Sequence, residues 1–99
     1  MVTKDEAKRF LGNVPDDKKF WVNNGPVLSS LGELLDAFPS LNQESFSHHV
    51  NKERNDFSNW IREVVGDKQL ADEISKAKTK YSALKKLKER LNSLKKRAS

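Results

Sequence analysis

The chain has no cysteine among its 99 residues. That excludes a disulfide scaffold, a thiol nucleophile and every zinc site that needs thiolate. Histidine occurs only as the adjacent pair His48 and His49. Neighbours on a helix point about 100° apart, so they cannot easily share one metal, which a helix usually holds at i, i+4. No glycine-rich phosphate loop, nucleophile elbow or paired-carboxylate signature is present. The expectation is a protein that is not an enzyme, with no catalytic residue, cofactor, metal or small-molecule substrate. No apolar run approaches the ~18 residues of a membrane span, and no signal-peptide core stands near the start. The location expected is therefore the cytoplasm, in a bacterial-type cell the nucleoid. Proline and glycine are scarce at three and four residues, and neither occurs between Asp67 and Lys96.

What the chain has in quantity is charge, and the charge is segregated. Net charge is +5. Residues 1–75 hold nine Lys/Arg and thirteen Asp/Glu, a balance of −4, whereas residues 76–99 hold ten Lys/Arg against the single acid Glu89, a balance of +9. Such asymmetry suggests a slightly acidic body with a basic arm for an anionic partner, although a lysine-rich helix can also serve only to keep a protein solvated.

Helical periodicity dominates the pattern. Thr3 with Glu6 reads as a capping box ahead of Ala7, Phe10 and Leu11. Phe20-Trp21-Val22, the turn residues Asn23-Asn24-Gly25-Pro26 and then Val27-Leu28 read as a small hairpin. Ser30 caps a stripe of Leu31, Leu34, Leu35 and Phe38, and Ser40 or Asn42 caps the next helix, which carries Phe46 and Val50. Asn55 or Asp56 opens the clearest stripe, Phe57, Trp60, Ile61, Val64 and Val65, and Gly66 closes it. Asp67 then caps one continuous helix whose apolar positions run Leu70, Ile74, Ala77, Tyr81, Leu84, Leu87, Leu91 and Leu94, close to a coiled-coil heptad. A straight helix of ~28 residues is about 42 Å long, so its C-terminal half should project from so small a domain.

Residues 20–71 resemble a small uncharacterised domain family of archaea and bacteria. The resemblance rests on Phe20-Trp21-Val22-Asn23-Asn24-Gly25, the Leu31 to Leu35 stretch, Phe46-Ser47-His48-His49-Val50-Asn51, Asn55-Asp56-Phe57-Ser58-Asn59-Trp60-Ile61, and Gly66-Asp67 with Leu70-Ala71. It implies a small, mainly helical module, carries no activity with it, and leaves the basic tail unexplained.

The fold expected is mainly α: a bundle of four to five helices with a short β-hairpin and a long basic C-terminal helix. Residues 1–75 form the compact domain and 76–99 the extension. The function expected is binding of nucleic acid, DNA ahead of RNA, through the phosphate backbone. The residues assigned to it are Lys78, Lys85, Lys86, Lys88, Arg90, Lys95, Lys96 and Arg97. The alternative is a protein–protein module in which Leu84, Leu87, Leu91 and Leu94 pair a weak homodimer. His49 is expected to pack at the core edge, and Asn55, Asp56 and Asn59 to serve as caps and loop ties. Trp60 belongs to the core. Trp21 is read as core or interface, with a stacking platform for single strands as its other role.

Overall fold

A computed structural model describes residues 2–99. Helix α1 spans Lys4–Leu11 and starts as the sequence predicts: Thr3 Oγ accepts from Glu6 N, and Glu6 Oε1 accepts from Thr3 N. The Thr3 backbone N–H, then its hydroxyl, holds the Glu6 carboxyl below its ordinary range. The depressed value means this box favours folding above the ordinary carboxylate range and is lost as pH falls through the lowered one. A 3-10 turn at Asp16–Lys18 leads into β1 (Phe20–Trp21), which pairs antiparallel with β2 (Val27–Leu28), Phe20 facing Leu28 and Trp21 facing Val27. In the turn between them Asn24 is left-handed, with φ 57°. A Cβ on Gly25 would lie 2.7 Å from Val22 Cγ1, so that position needs glycine.

The remaining elements are α2 (Leu31–Ala37), a 3-10 turn at Phe38–Ser40, α3 (Gln43–His49) and α4 (Asp56–Trp60), which widens into a π-helical segment at Ile61–Val65. Ser30, Asn42 and Asn55 cap α2, α3 and α4 by accepting from Glu33 N, Ser45 N and Ser58 N. The widened segment ends where Gly66 N donates to Ile61 O and Gly66 turns left-handed, at φ 91°. Helices α5 (Lys68–Lys76) and α6 (Lys80–Ala98) complete the chain, making six α-helices among the described residues, so the molecule is the mainly helical bundle with a short hairpin and a long C-terminal helix that the sequence predicts.

The single long terminal helix expected from sequence is two helices. Ala77 is extended, and Thr79 starts α6 by accepting from Ser82 N while its own N–H reaches Ser82 Oγ. This is a capping box with serine in the position usually held by Glu or Gln. Side chains of α4 and its cap tie onto the C-terminal half of α5: Asn55 Nδ2 donates to Ile74 O, which also accepts from Ala77 N, and Ser58 Oγ donates to Ala71 O. The reversal lets α6 lie back along α1, α5 and α2 instead of projecting. Nineteen residues give α6 a length of about 28 Å, within the 36 × 27 × 22 Å of the molecule.

The core therefore includes the tail. Phe20, Phe38, Phe46 and Phe57 form one ring cluster, with Trp60 edge-on to Phe20 and its Nε1 donating to Lys18 O. Ala83, Leu87, Leu91 and Leu94 of α6 are buried with Ala7, Leu31, Leu34, Ile61 and Leu70, and Leu84 packs at the edge. Two expectations fall with the projecting helix. Residues 76–99 are not an extension of a finished domain, and Leu84, Leu87, Leu91 and Leu94 do not form an outward seam.

A chain cut after Ala77 loses five buried side chains, Ala83, Leu87, Arg90, Leu91 and Leu94, and uncovers the faces they close. Fragment 1–77 should show no cooperative thermal transition by circular dichroism and collapsed amide dispersion by NMR. A cooperative melt close to that of the full chain would contradict this account of the core.

Candidate nucleic-acid interface

The period of α6 decides which cations reach solvent. With Ala83, Leu87, Leu91 and Leu94 inward, the opposite face carries Tyr81, Lys85, Lys88, Asn92 and Lys95 at spacings of four, three, four and three. These five form one exposed row about 21 Å long, with Lys96 beside it. Lys86 is exposed on the flank and lies 4.0 Å from Glu89. Arg97 is exposed but occupied, its Nε donating to Val2 O at 2.7 Å. Lys78 precedes the helix and lines an open depression of about 530 Å³ with Asn51, Arg54, Asn59 and Arg62. Both arginines there are already engaged, Arg54 with Asp56 and Arg62 with Asp72. Lys80 is likewise committed, its Nζ donating to Pro39 O at 3.1 Å and to Leu41 O.

Arg90 is a correction to the set expected from sequence. It is buried, with Nε donating to Asp67 Oδ2 and Nη2 to Asp67 Oδ1, both at 2.8 Å. Asp67 is also buried, and its Oδ1 still accepts from Leu70 N as the cap of α5. The guanidinium fork thus ties the start of α5 to the middle of α6 and cannot reach a phosphate. Position 90 lies seven residues from Ala83, three from Leu87 and four from Leu94. The wheel that picks out the leucines also places it at the edge of the packed face.

The histidine region is structural. His49 is buried, and its Nε2 accepts from Asn23 N at 2.9 Å, which leaves Nδ1 to donate to Asp56 Oδ2 at 2.9 Å in the neutral ring. Arg54 pairs with the other oxygen of Asp56. An Asp–His pair can raise the basicity of a free Nε2, but here a backbone N–H occupies that nitrogen, and the ring packs against Phe20 and Phe57. The arrangement joins the hairpin turn to α3 and α4 and offers no base to a substrate. No group of three or more His, Asp or Glu side chains among the described residues could hold a metal ion. Among the described residues no helix is long and apolar enough to cross a membrane.

Two aromatic side chains stand in solvent, Trp21 at 74% exposure and Tyr81 at 78%. Of the roles read for Trp21 its exposure removes the core one, and Tyr81 departs from the apolar stripe in which the sequence reading placed it. The strand turns Phe20 inward and Trp21 outward, and the break before Thr79 rotates Tyr81 out of the stripe that Ile74 and Ala77 begin.

Among known proteins, a family model described as "Family of unknown function (DUF5752)" matches residues 16–96. No curated protein and no solved structure matches the chain.

Two substitutions test the assignments of Arg90 and His49. Arg90→Ala leaves the Asp67 carboxylate buried without its partner and should cost about 3–5 kcal/mol in denaturant unfolding. A phosphate-contacting arginine would instead leave stability nearly unchanged. His49→Phe keeps ring packing but strips the partner from Asn23 N–H and Asp56. It should cost about 1–3 kcal/mol per unsatisfied group, read as a lower denaturant midpoint at an unchanged slope.

Proposed function

The chain belongs to this family, DUF5752, and on that premise we propose that it is a non-enzymatic module that binds nucleic acid through the phosphate backbone. The observation that carries the reading is the row on α6. Cations in the last helical turn, Lys95, Lys96 and Arg97, complement the negative end of the helix dipole. Lys85 and Lys88 sit too far from that end for the dipole to account for them. They add like charge to a face whose only acid is Glu89. Repulsion among such lysines is relieved when they displace counterions from a polyanion, and counterion release supplies affinity that does not depend on sequence.

Of the eight cations assigned from sequence, Arg90 leaves the set, and Lys86 and Arg97 are partly engaged. The working set is Lys78, Lys85, Lys88, Lys95 and Lys96. A straight helix presenting only lysines offers no bidentate fork to a base edge, so the expected binding is indifferent to sequence. A role in coating the cell's nucleic acid fits that chemistry. The alternative of a leucine-paired dimer has lost its support, since Leu87, Leu91 and Leu94 are buried within the chain.

Binding of a fluorescent oligonucleotide, followed by anisotropy across a salt series, tests the reading. Lys85→Ala/Lys88→Ala should weaken binding equally across sequences and reduce the slope of log K against log salt by roughly one per lost contact, with the melting temperature unchanged. Affinity and slope that both match the parent protein would remove the row from the interface.

A further inference from the structure

The ring at the head of the lysine row carries information that the cations do not. Tyr81 stands one turn before Lys85, in line with Lys88, Asn92 and Lys95, and among the described residues its ring packs on no other aromatic ring and its hydroxyl makes no hydrogen bond. Six of the eight aromatic residues are in the core, Phe10, Phe20, Phe38, Phe46, Phe57 and Trp60. The two left outside are Tyr81 and Trp21. Lys80, the residue before Tyr81, is tied to the carbonyls of Pro39 and Leu41. Leu41 in turn lines a depression of about 310 Å³ together with Asn24, Gly25 and Pro26 of the hairpin turn, and the hairpin carries Trp21. One isolated exposed ring needs no explanation. A ring aligned with a row of cations, followed by a polar hollow that leads to a hairpin with a second exposed ring, is an arrangement with a specific use.

We infer that the nucleic acid this protein takes is single-stranded, with phosphates along Lys85, Lys88 and Lys95 and an unpaired base stacked on Tyr81. The inference rests on the backbone-binding reading above and names its substrate class. In a duplex the base faces are buried in the stack, and a ring on a rigid helix finds only sugar and phosphate. In a single strand every base offers a face, and stacking on an aromatic side chain tolerates any sequence. Lysine supplies attraction without base readout, so row and ring share the same indifference to sequence. From Tyr81 the strand continues across the hollow toward Trp21, which forms the second platform.

The two tryptophans make the experiment direct. Trp60 is buried and hydrogen-bonded, whereas Trp21 is in solvent, so saturable quenching of indole emission by an oligonucleotide reports on Trp21. Oligothymidine and a duplex of equal length are titrated into the full chain at fixed salt, with anisotropy giving affinity and indole emission giving contact. The expected results are tighter binding of the single strand, quenching by it alone, and a loss of about 10-fold in single-strand affinity for Tyr81→Ala, with duplex affinity unchanged. Tyr81→Phe should restore the loss, and both variants should melt as the parent does because the side chain is exposed. Equal affinity of Tyr81→Ala and parent for the single strand, with the lysine dependence intact, overturns the stacking inference and leaves the backbone reading standing. Failure of both oligonucleotides to bind overturns the backbone reading itself. Quenching that persists in Trp21→Phe would place the signal on Trp60 and remove Trp21 from the path.

Discussion

The carboxylate of Asp67 and the guanidinium of Arg90 are the pair on which the arrangement of this molecule turns. Both are buried, and each is tolerable there only because the other is present. Asp67 has a second task, since one of its oxygens caps α5 at Leu70 N. One acid therefore fixes where α5 begins and where α6 lies across it. Leucines alone would bury as well with α6 shifted by a turn. A two-pronged ionic contact has one matching position, so the pair sets the register of a helix that its hydrophobic face leaves free to slide.

That register determines the outer surface. With Arg90 turned inward, the face of α6 opposite the leucines is fixed as Tyr81, Lys85, Lys88, Asn92 and Lys95. The core and the basic row are two sides of one helix. The charge split along the chain is then not a division into body and arm. Its basic part belongs to the outer face of the last packed element, whose inner face closes the core.

Much of this was legible in the residues. Thr3, Ser30, Asn42, Asn55 and Asp67 act as caps, Gly66 as the left-handed stop, and Phe57, Trp60 and Ile61 as core, because caps and apolar stripes are local signals with one dominant physical meaning. The break at Ala77–Thr79 contains neither Gly nor Pro, the residues that most plainly stop a helix. Its signal was present as Thr79 three residues before Ser82, a cap whose partner is a hydroxyl instead of a carboxylate. The break rotates α6, which turns Tyr81 to solvent and the leucines to the core. The charge of Arg90 points to solvent, whereas its spacing from Ala83, Leu87 and Leu94 puts it beside them on the packed face. The basic row was legible as composition. Its alignment with Tyr81 depended on the rotation of α6, which only the tertiary packing supplies.

The backward lie of α6 also sets an order of events. Arg97 meets Val2 across almost the whole chain, and α1 is the principal neighbour of α6. Helix α1 thus waits for α6, and the apolar faces of α1, α2 and α5 stay uncovered until residues 83–94 have been made. Loop closure over such a separation must precede the contacts that reward it. A nascent chain of this protein therefore has no stable intermediate domain to fall back on. The interval before α6 arrives is when it is most exposed to proteases, to aggregation and to the chaperones that guard against both.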